Sequence, residues 1–362
     1  MDKHIVFLMH GMGNQAPGWS DKSQKLLKDK SDEFGALPGA TMFFDVEFVE
    51  LNIQNLLNRN MEKLIKGGES LGDLTEFLNE GYDKRKNNPD FEGDTTKEKI
   101  ALFVRDFALD VFCYNWNDEF KTFLLLQLAE DVLKTIKEKL EANLNDNVRF
   151  SFIAHSLGTK FSFDLLHRLY TMGKPGYYKV DASGAPMLGS PSFSTYIQLS
   201  SVSQILSRFS HLSEKPNNSH VRIARTTPRQ FGIVDNRYGI YNNNWDVVSW
   251  IGEWNRYENH VFSSPFVNLD YLSTWNMHNM DLYISHPAVY CDLMHFLYGY
   301  TVSESQKKVL ITTFEQKQEN QSQELKQALQ LIKQMFSSPS VNSLRELVTL
   351  FKNIFESLSS EL

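Results

Sequence analysis

Two kinds of apolar pattern alternate along the chain. Residues 5–9 (I-V-F-L-M) form a continuous apolar run, as in strands covered on both faces of a parallel sheet. Residues 148–154 form a second short run of strand character, ending at Ala154, and 41–49 (T-M-F-F-D-V-E-F-V) a third, alternating in its latter half. Between them the period changes to that of a helix. Thr95-Thr96-Lys97-Glu98 fits a capping box and is followed by Ile100, Phe103, Val104, Phe107 and Val111. Residues 122–143 predict a long helix whose apolar face (Phe123, Leu126, Ala129, Leu133, Ile136, Leu140) would cover the sheet. Leu157, Phe161, Leu165 and Leu169 predict another helix directly after the 148–154 strand.

Further strands are expected at 181–191, ending in Gly189-Ser190-Pro191, at 220–226 and at 267–272. Ser285 or His286, followed by Pro287, opens a late helix. From 51 to 88, short helical patterns (Leu57, Met61, Leu64; Leu71, Leu74, Phe77, Leu78) are broken by Gly67-Gly68, Gly72 and Gly81. That is more chain than a strand-to-helix connection needs, so it reads either as a cap over a site or as a peripheral insertion. After Ser305, Leu325, Leu329, Ile332 and Phe336, then Leu344, Val348, Phe351 and Phe355, mark two amphipathic helices split at 337–339. The sum is an α/β chain: a mostly parallel central sheet flanked by helices, with a helical insertion at about 51–110 and a C-terminal helical extension over 301–362.

Composition narrows the function more than the fold. The formal net charge is -7 and no basic run is present, which argues against nucleic acid as a partner. Cys113 and Cys291 give neither a disulfide framework nor metal-ligand spacing, so no metal or other cofactor is expected. No apolar run reaches the roughly 18 residues of a membrane span, and the apolar start is too short for a signal-peptide core. The expected location is therefore the cytoplasm.

The junction at 154–158 carries the candidate chemistry. Ser156 lies on a tight turn between strand and helix, in A-H-S-L-G, where small Ala154 and Gly158 let the chain pass close to itself. The alternative is a turn serine that caps the helix. The first strand runs into His10-Gly11-Met12-Gly13-Asn14, a glycine-rich turn that can aim a backbone N–H at a carbonyl oxygen. A serine hydroxyl is a poor nucleophile near neutral pH; it needs an imidazole to take its proton and a carboxylate to hold that imidazole.

With Ser156 first, an acid after a later strand and a histidine before a late helix, the chain resembles the α/β-hydrolase superfamily over roughly residues 3–300. Within it the likeness is to lipases and esterases with an H-G turn and an A-H-S-x-G nucleophile elbow. Ala154 in place of the first elbow glycine, and Thr159 where many members have a further glycine, depart from that pattern. The resemblance implies an α/β-hydrolase domain over 1–300 and a catalytic triad of Ser156, Asp246 and His286. Asp246 stands in D-V-V, like the D-x-V turn of the family's acid, with Asp235 and Asp270 as rivals. His286 has a tyrosine four residues on, like the family's H-x-x-x-Y, with His278 as its rival. Oxyanion donors would be the backbone N–H groups of Leu157 and Met12, or of Gly11. The implied activity is hydrolysis of carboxylic esters, of acyl lipids in particular; a thioesterase or amidase, and a catalytically silent binding module, stand as alternatives. The C-terminal helices are expected to pack on the hydrolase body or to join two copies of the chain.

Overall fold

The computed structural model describes residues 2–11, 17–37, 40–53, 57, 73–87, 96–116, 118–144, 147–172, 193–203, 206, 234–250, 266–274, 276–318, 323–336 and 344–360. Six strands form one sheet: β1 (Asp2–His10), β2 (Phe44–Leu51), β3 (Val148–His155), β4 (Phe193–Leu199), β5 (Val234–Asn243) and β6 (Phe266–Leu269). Their order is β2-β1-β3-β4-β5-β6 and every neighbouring pair is parallel. Parallel strands need crossovers, and these bring helices to both faces. That is why Ile5 to Met9 has no polar position: all five side chains are fully buried.

Alternation along the strands separates the two faces. On one, Phe7 stacks on its cross-strand partner Phe152 at 5.0 Å, and Tyr196, paired with Phe152, donates its hydroxyl to the Thr159 carbonyl at 3.0 Å. Thr159 begins α5 (Gly158–Met172), which packs against β1 and β3 and beside α4 (Asp118–Ala142). On the other face His4 bridges Ser151 Oγ at 2.7 Å and the Leu297 carbonyl at 2.8 Å. Leu297 belongs to a π-helical turn, 294–298, that also touches α1 (Asp21–Gly35) and α7 (Pro287–Leu293), which follows the short α6 (Met280–Ser285).

The 51–110 stretch contributes two described helices, α2 (Asp73–Asn87) and α3 (Thr96–Trp116). Three helices follow Ser303: α8 (Glu304–Gln318), α9 (Gln323–Phe336) and α10 (Leu344–Ser360). The last has a buried stripe of Leu347, Val348, Phe351, Ile354 and Leu358 and lies along α3 and α2, with Phe351 on Phe107 at 5.5 Å and Phe355 on Phe77 at 5.7 Å. The apolar face of α10 is thus covered within the chain.

Several sequence expectations change here. Residues 304–318 form a helix although their apolar pattern is weak, and the strands expected at 181–191 and 220–226 lie outside the described residues. The helix expected at 122–143 exists and buries Ala129 and Ile136 of the expected face, but the side it turns inward is rotated away from the other four. Lys121, Leu124, Leu125, Leu128, Ala129, Val132 and Ile136 are buried, while Phe123, Leu126, Leu133 and Leu140 are exposed. Both stripes are apolar, so periodicity alone cannot choose between them. No described helix is long and apolar enough to cross a membrane.

Candidate active site

In an open parallel sheet, ligands collect at the carboxyl ends of the strands where the strand order reverses. Here β1 leads to β2 on one side and the later strands follow from β3 on the other, so the reversal falls between β1 and β3. Their last residues, His10 and His155, are register partners, and Gly11 and Ser156 come next. At this point the two chains pass backbone against backbone. A Cβ on Gly11 would stand 2.0 Å from the Gly158 amide nitrogen, and one on Gly158 would stand 2.5 Å from the Met9 carbonyl oxygen.

Ser156 sits in the left-handed region, at φ 57, although it is not glycine. Such a conformation costs about 1–3 kcal/mol and persists only where the surroundings impose it. They do so through the Ser156 N–H, which donates to the Leu199 carbonyl at 3.1 Å, and the Ser156 carbonyl, which accepts from Thr159 Oγ1 at 2.6 Å. Thr159 Oγ1 also accepts from the Val202 N–H at 3.0 Å. Thr159 therefore pins the turn to the segment leaving β4.

Asp246 follows β5 and is fully buried. Both of its oxygens lie 3.0 Å from Nδ1 of His278; Tyr283 Oη donates to Oδ2 at 2.6 Å and the Val248 N–H to Oδ1 at 2.9 Å. Burial alone would raise its pKa; the electrostatic influence and hydrogen bond of His278, with the hydrogen bonds of Ser200 and Tyr283, outweigh this and hold it below the ordinary carboxylate value. Ser200, just beyond β4, is a second residue at positive φ (50) and places its hydroxyl 3.0 Å from His278 Nδ1. β4 thus holds the Ser156 turn through Leu199 and the His278 ring through Ser200. Local sequence carries no sign of the role of Ser200 or Tyr283: each acts through a partner dozens of residues away.

Nε2 of His278 and Oγ of Ser156 are both buried and have no hydrogen-bond partner among the described residues. The ring of His155, the residue before Ser156, lies 4.7 Å from that of His278 and 4.8 Å from that of His10. Burial first, then the neighbouring His278 and His10, push the His155 pKa well below its ordinary value despite an opposing contact with the His278 backbone, so its ring is neutral. Among the described residues no group of three or more His, Cys, Asp or Glu could hold a metal ion. Phe103 of α3 packs edge-to-face with the His278 ring, with centroids 5.0 Å apart.

The structure pairs Asp246 with His278 and not with His286. His286 is the N-cap of α7: its Nδ1 accepts from the Ala288 N–H at 3.1 Å, and its ring packs on Tyr271 (5.0 Å) and Phe314 (4.9 Å). The signal read as catalytic, a histidine just before Pro287 and a helix, is accounted for by capping. Asp270 accepts from the Trp245 indole at an exposed site, and the side chain of Asp235 lies outside the described residues. Leu157 is fully buried on the turn, and its N–H precedes the first helical bond of α5. Gly11 is in place beside it; Met12 lies outside the described residues.

His4 and His286 share a consequence. Burial lowers the pKa of each from 6.5 to about 4, helped by Arg149 at His4, where the Leu297 carbonyl opposes, and by Lys307 at His286. A folded pKa below the unfolded one means stability complete above pH 6.5 and lost as pH falls toward 4, by roughly 3 kcal/mol for each ring. The urea midpoint should fall steeply between pH 6.5 and 4.5, and less so in His4→Gln. A flat profile over that window would contradict these assignments.

No family model matches the chain, and no curated protein is significantly similar to it.

Proposed function

We propose that this chain is a serine hydrolase of carboxylic esters, built on the α/β-hydrolase plan, with Ser156 as nucleophile, His278 as general base and acid, and Asp246 as its orienting carboxylate. One observation carries the reading above all: a fully buried carboxylate grips His278 Nδ1 while Nε2 is left without a partner, and the equally unpartnered hydroxyl of Ser156 stands on a strained turn next to His155, whose ring meets that of His278. A carboxylate on Nδ1 fixes the tautomer in which Nε2 is the basic nitrogen.

In this scheme Nε2 takes the Ser156 proton as Oγ attacks the ester carbonyl. The imidazolium, opposite Asp246, then returns that proton to the departing alkoxide. Water attacks the acyl-enzyme with the same base, releasing the acid and restoring Ser156. The oxyanion would be met by the Leu157 N–H at the start of α5, where the helix dipole also favours negative charge, and by the N–H of Gly11 or, as the sequence suggests, of Met12. Acyl lipid is the favoured substrate class. The side chain that meets the His278 ring from α3 is Phe103, an apolar neighbour suited to an acyl chain. The same groups would cleave a thioester or an amide.

Incubation of the full chain with a fluorophosphonate tests the reading, because only an activated serine displaces fluoride to form the phosphonyl adduct. A single labelled serine at position 156 is expected. A folded chain that takes up no label would be a silent fold, and the proposal would fall.

A further inference from the structure

Eight large hydrophobic side chains are exposed among the described residues, and five of them stand on α4 and its last turn: Phe123, Leu126, Leu133, Leu140 and Leu144, exposed by 52, 43, 40, 45 and 83%. The remaining three are scattered, so this is a patch and not background. Leu126, Leu133 and Leu140 follow at steps of seven, with Phe123 three residues before the first and Leu144 four after the last. Sevenfold spacing drifts by only about 20° per step on a helix, so the five side chains form one seam about 30 Å long. The opposite stripe of α4 is already spent on the sheet and on α5.

Two charged residues interrupt the seam, exposed Glu130 and Lys137, one on each side of Leu133. Lys137 meets Glu141 at 3.9 Å, an exposed pair of small worth. Two such helices laid parallel in register would set Glu130 against Glu130 and Lys137 against Lys137. Laid antiparallel about a two-fold axis near Leu133, they bring Glu130 of each copy beside Lys137 of the other, and Phe123 beside Leu144. A surface that complements itself under a two-fold rotation is what a closed dimer requires. The rim is mixed in sign, with Asp131, Glu138 and Glu141 beside Lys134, which does not suit an anionic lipid surface.

We propose that this face of α4 is a homodimer interface in which the helices of two copies pack antiparallel about an axis at Leu133. It takes the place of the C-terminal helices as the joining surface, since the stripe of α10 is buried on α3 within one chain. The interface is independent of the proposed hydrolysis.

Sedimentation velocity on the full chain should give twice the monomer mass at micromolar concentration, and Leu133→Glu should give a monomer. Glu130→Lys and Lys137→Glu, each setting like charges together twice, should each weaken the dimer about tenfold, and the double reversal should restore it. These positions are exposed, so the fold is not at stake. Should a variant still fail to fold, Leu133→Cys decides: oxidation should join two copies covalently, whereas Phe43→Cys, exposed but off this helix, should not; Cys113 and Cys291 are buried. A wild-type chain that is monomeric up to roughly 50 µM overturns the proposal. So does a double reversal no tighter than the single ones, equal cross-linking at both cysteine positions, or a monomer that floats with zwitterionic vesicles.

Discussion

His278→Ala should lower kcat for a short-chain acyl ester by a factor of about 10³ or more, as should Ser156→Ala, whereas His286→Asn should retain activity within a few-fold. The difference follows from what each imidazole touches. His278 has Nδ1 against Asp246 and Nε2 free for a proton. His286 has Nδ1 committed to the Ala288 N–H and its ring pressed between Tyr271 and Phe314. Asparagine can still cap α7, so the substitution removes the imidazole with little harm to the helix. Asp246→Asn should resemble His278→Ala, because an amide offers Nδ1 a donor as readily as an acceptor and frees the wrong tautomer. Steady-state kinetics on the four purified variants check this. An inactive His286→Asn beside an active His278→Ala would return the base to His286 and overturn the assignment.

Gly158→Ala should destabilise the chain by about 3 kcal/mol or more and abolish fluorophosphonate labelling with it. The added methyl would lie 2.5 Å from the Met9 carbonyl oxygen and 2.9 Å from its carbon. Both are backbone atoms of a central strand paired on either side, so neither can swing away as a side-chain tip would. The reciprocal clash at Gly11, 2.0 Å from Gly158 N, predicts the same for Gly11→Ala. Gly35→Ala is the contrast: its methyl would meet only the Tyr300 hydroxyl at 3.1 Å, and the cost should stay within about 1 kcal/mol. Urea denaturation of the three variants measures this. A Gly158→Ala chain as stable as wild type would mean that β1 and the start of α5 do not approach as closely as described.

The sequence by itself determined what depends on neighbours in the chain. The apolar run at 5–9 is a strand buried on both faces, and the A-H-S-L-G junction turns from strand to helix at Ser156, because those features rest on local sterics and on the change of period from strand to helix. Asp246 was legible as an acid downstream of a strand expected at 220–226; that β5 (Val234–Asn243) ends just before it, and that it grips His278 in a buried pocket, was not. His278 and His286 each precede a helix, and only the packing of distant elements decides that one ring reaches Asp246 while the other caps α7. Ser200 and Tyr283 join the site on the same terms, across 78 and 37 residues. α4 shows the limit most plainly. It carries apolar residues on two sides, and periodicity reports that they are apolar without reporting which side meets the sheet. The stripe of α10 has the converse history, since its pattern is plain and its destination on α3 is not, because the partner of an amphipathic face is set by the whole fold and not by the helix that bears it.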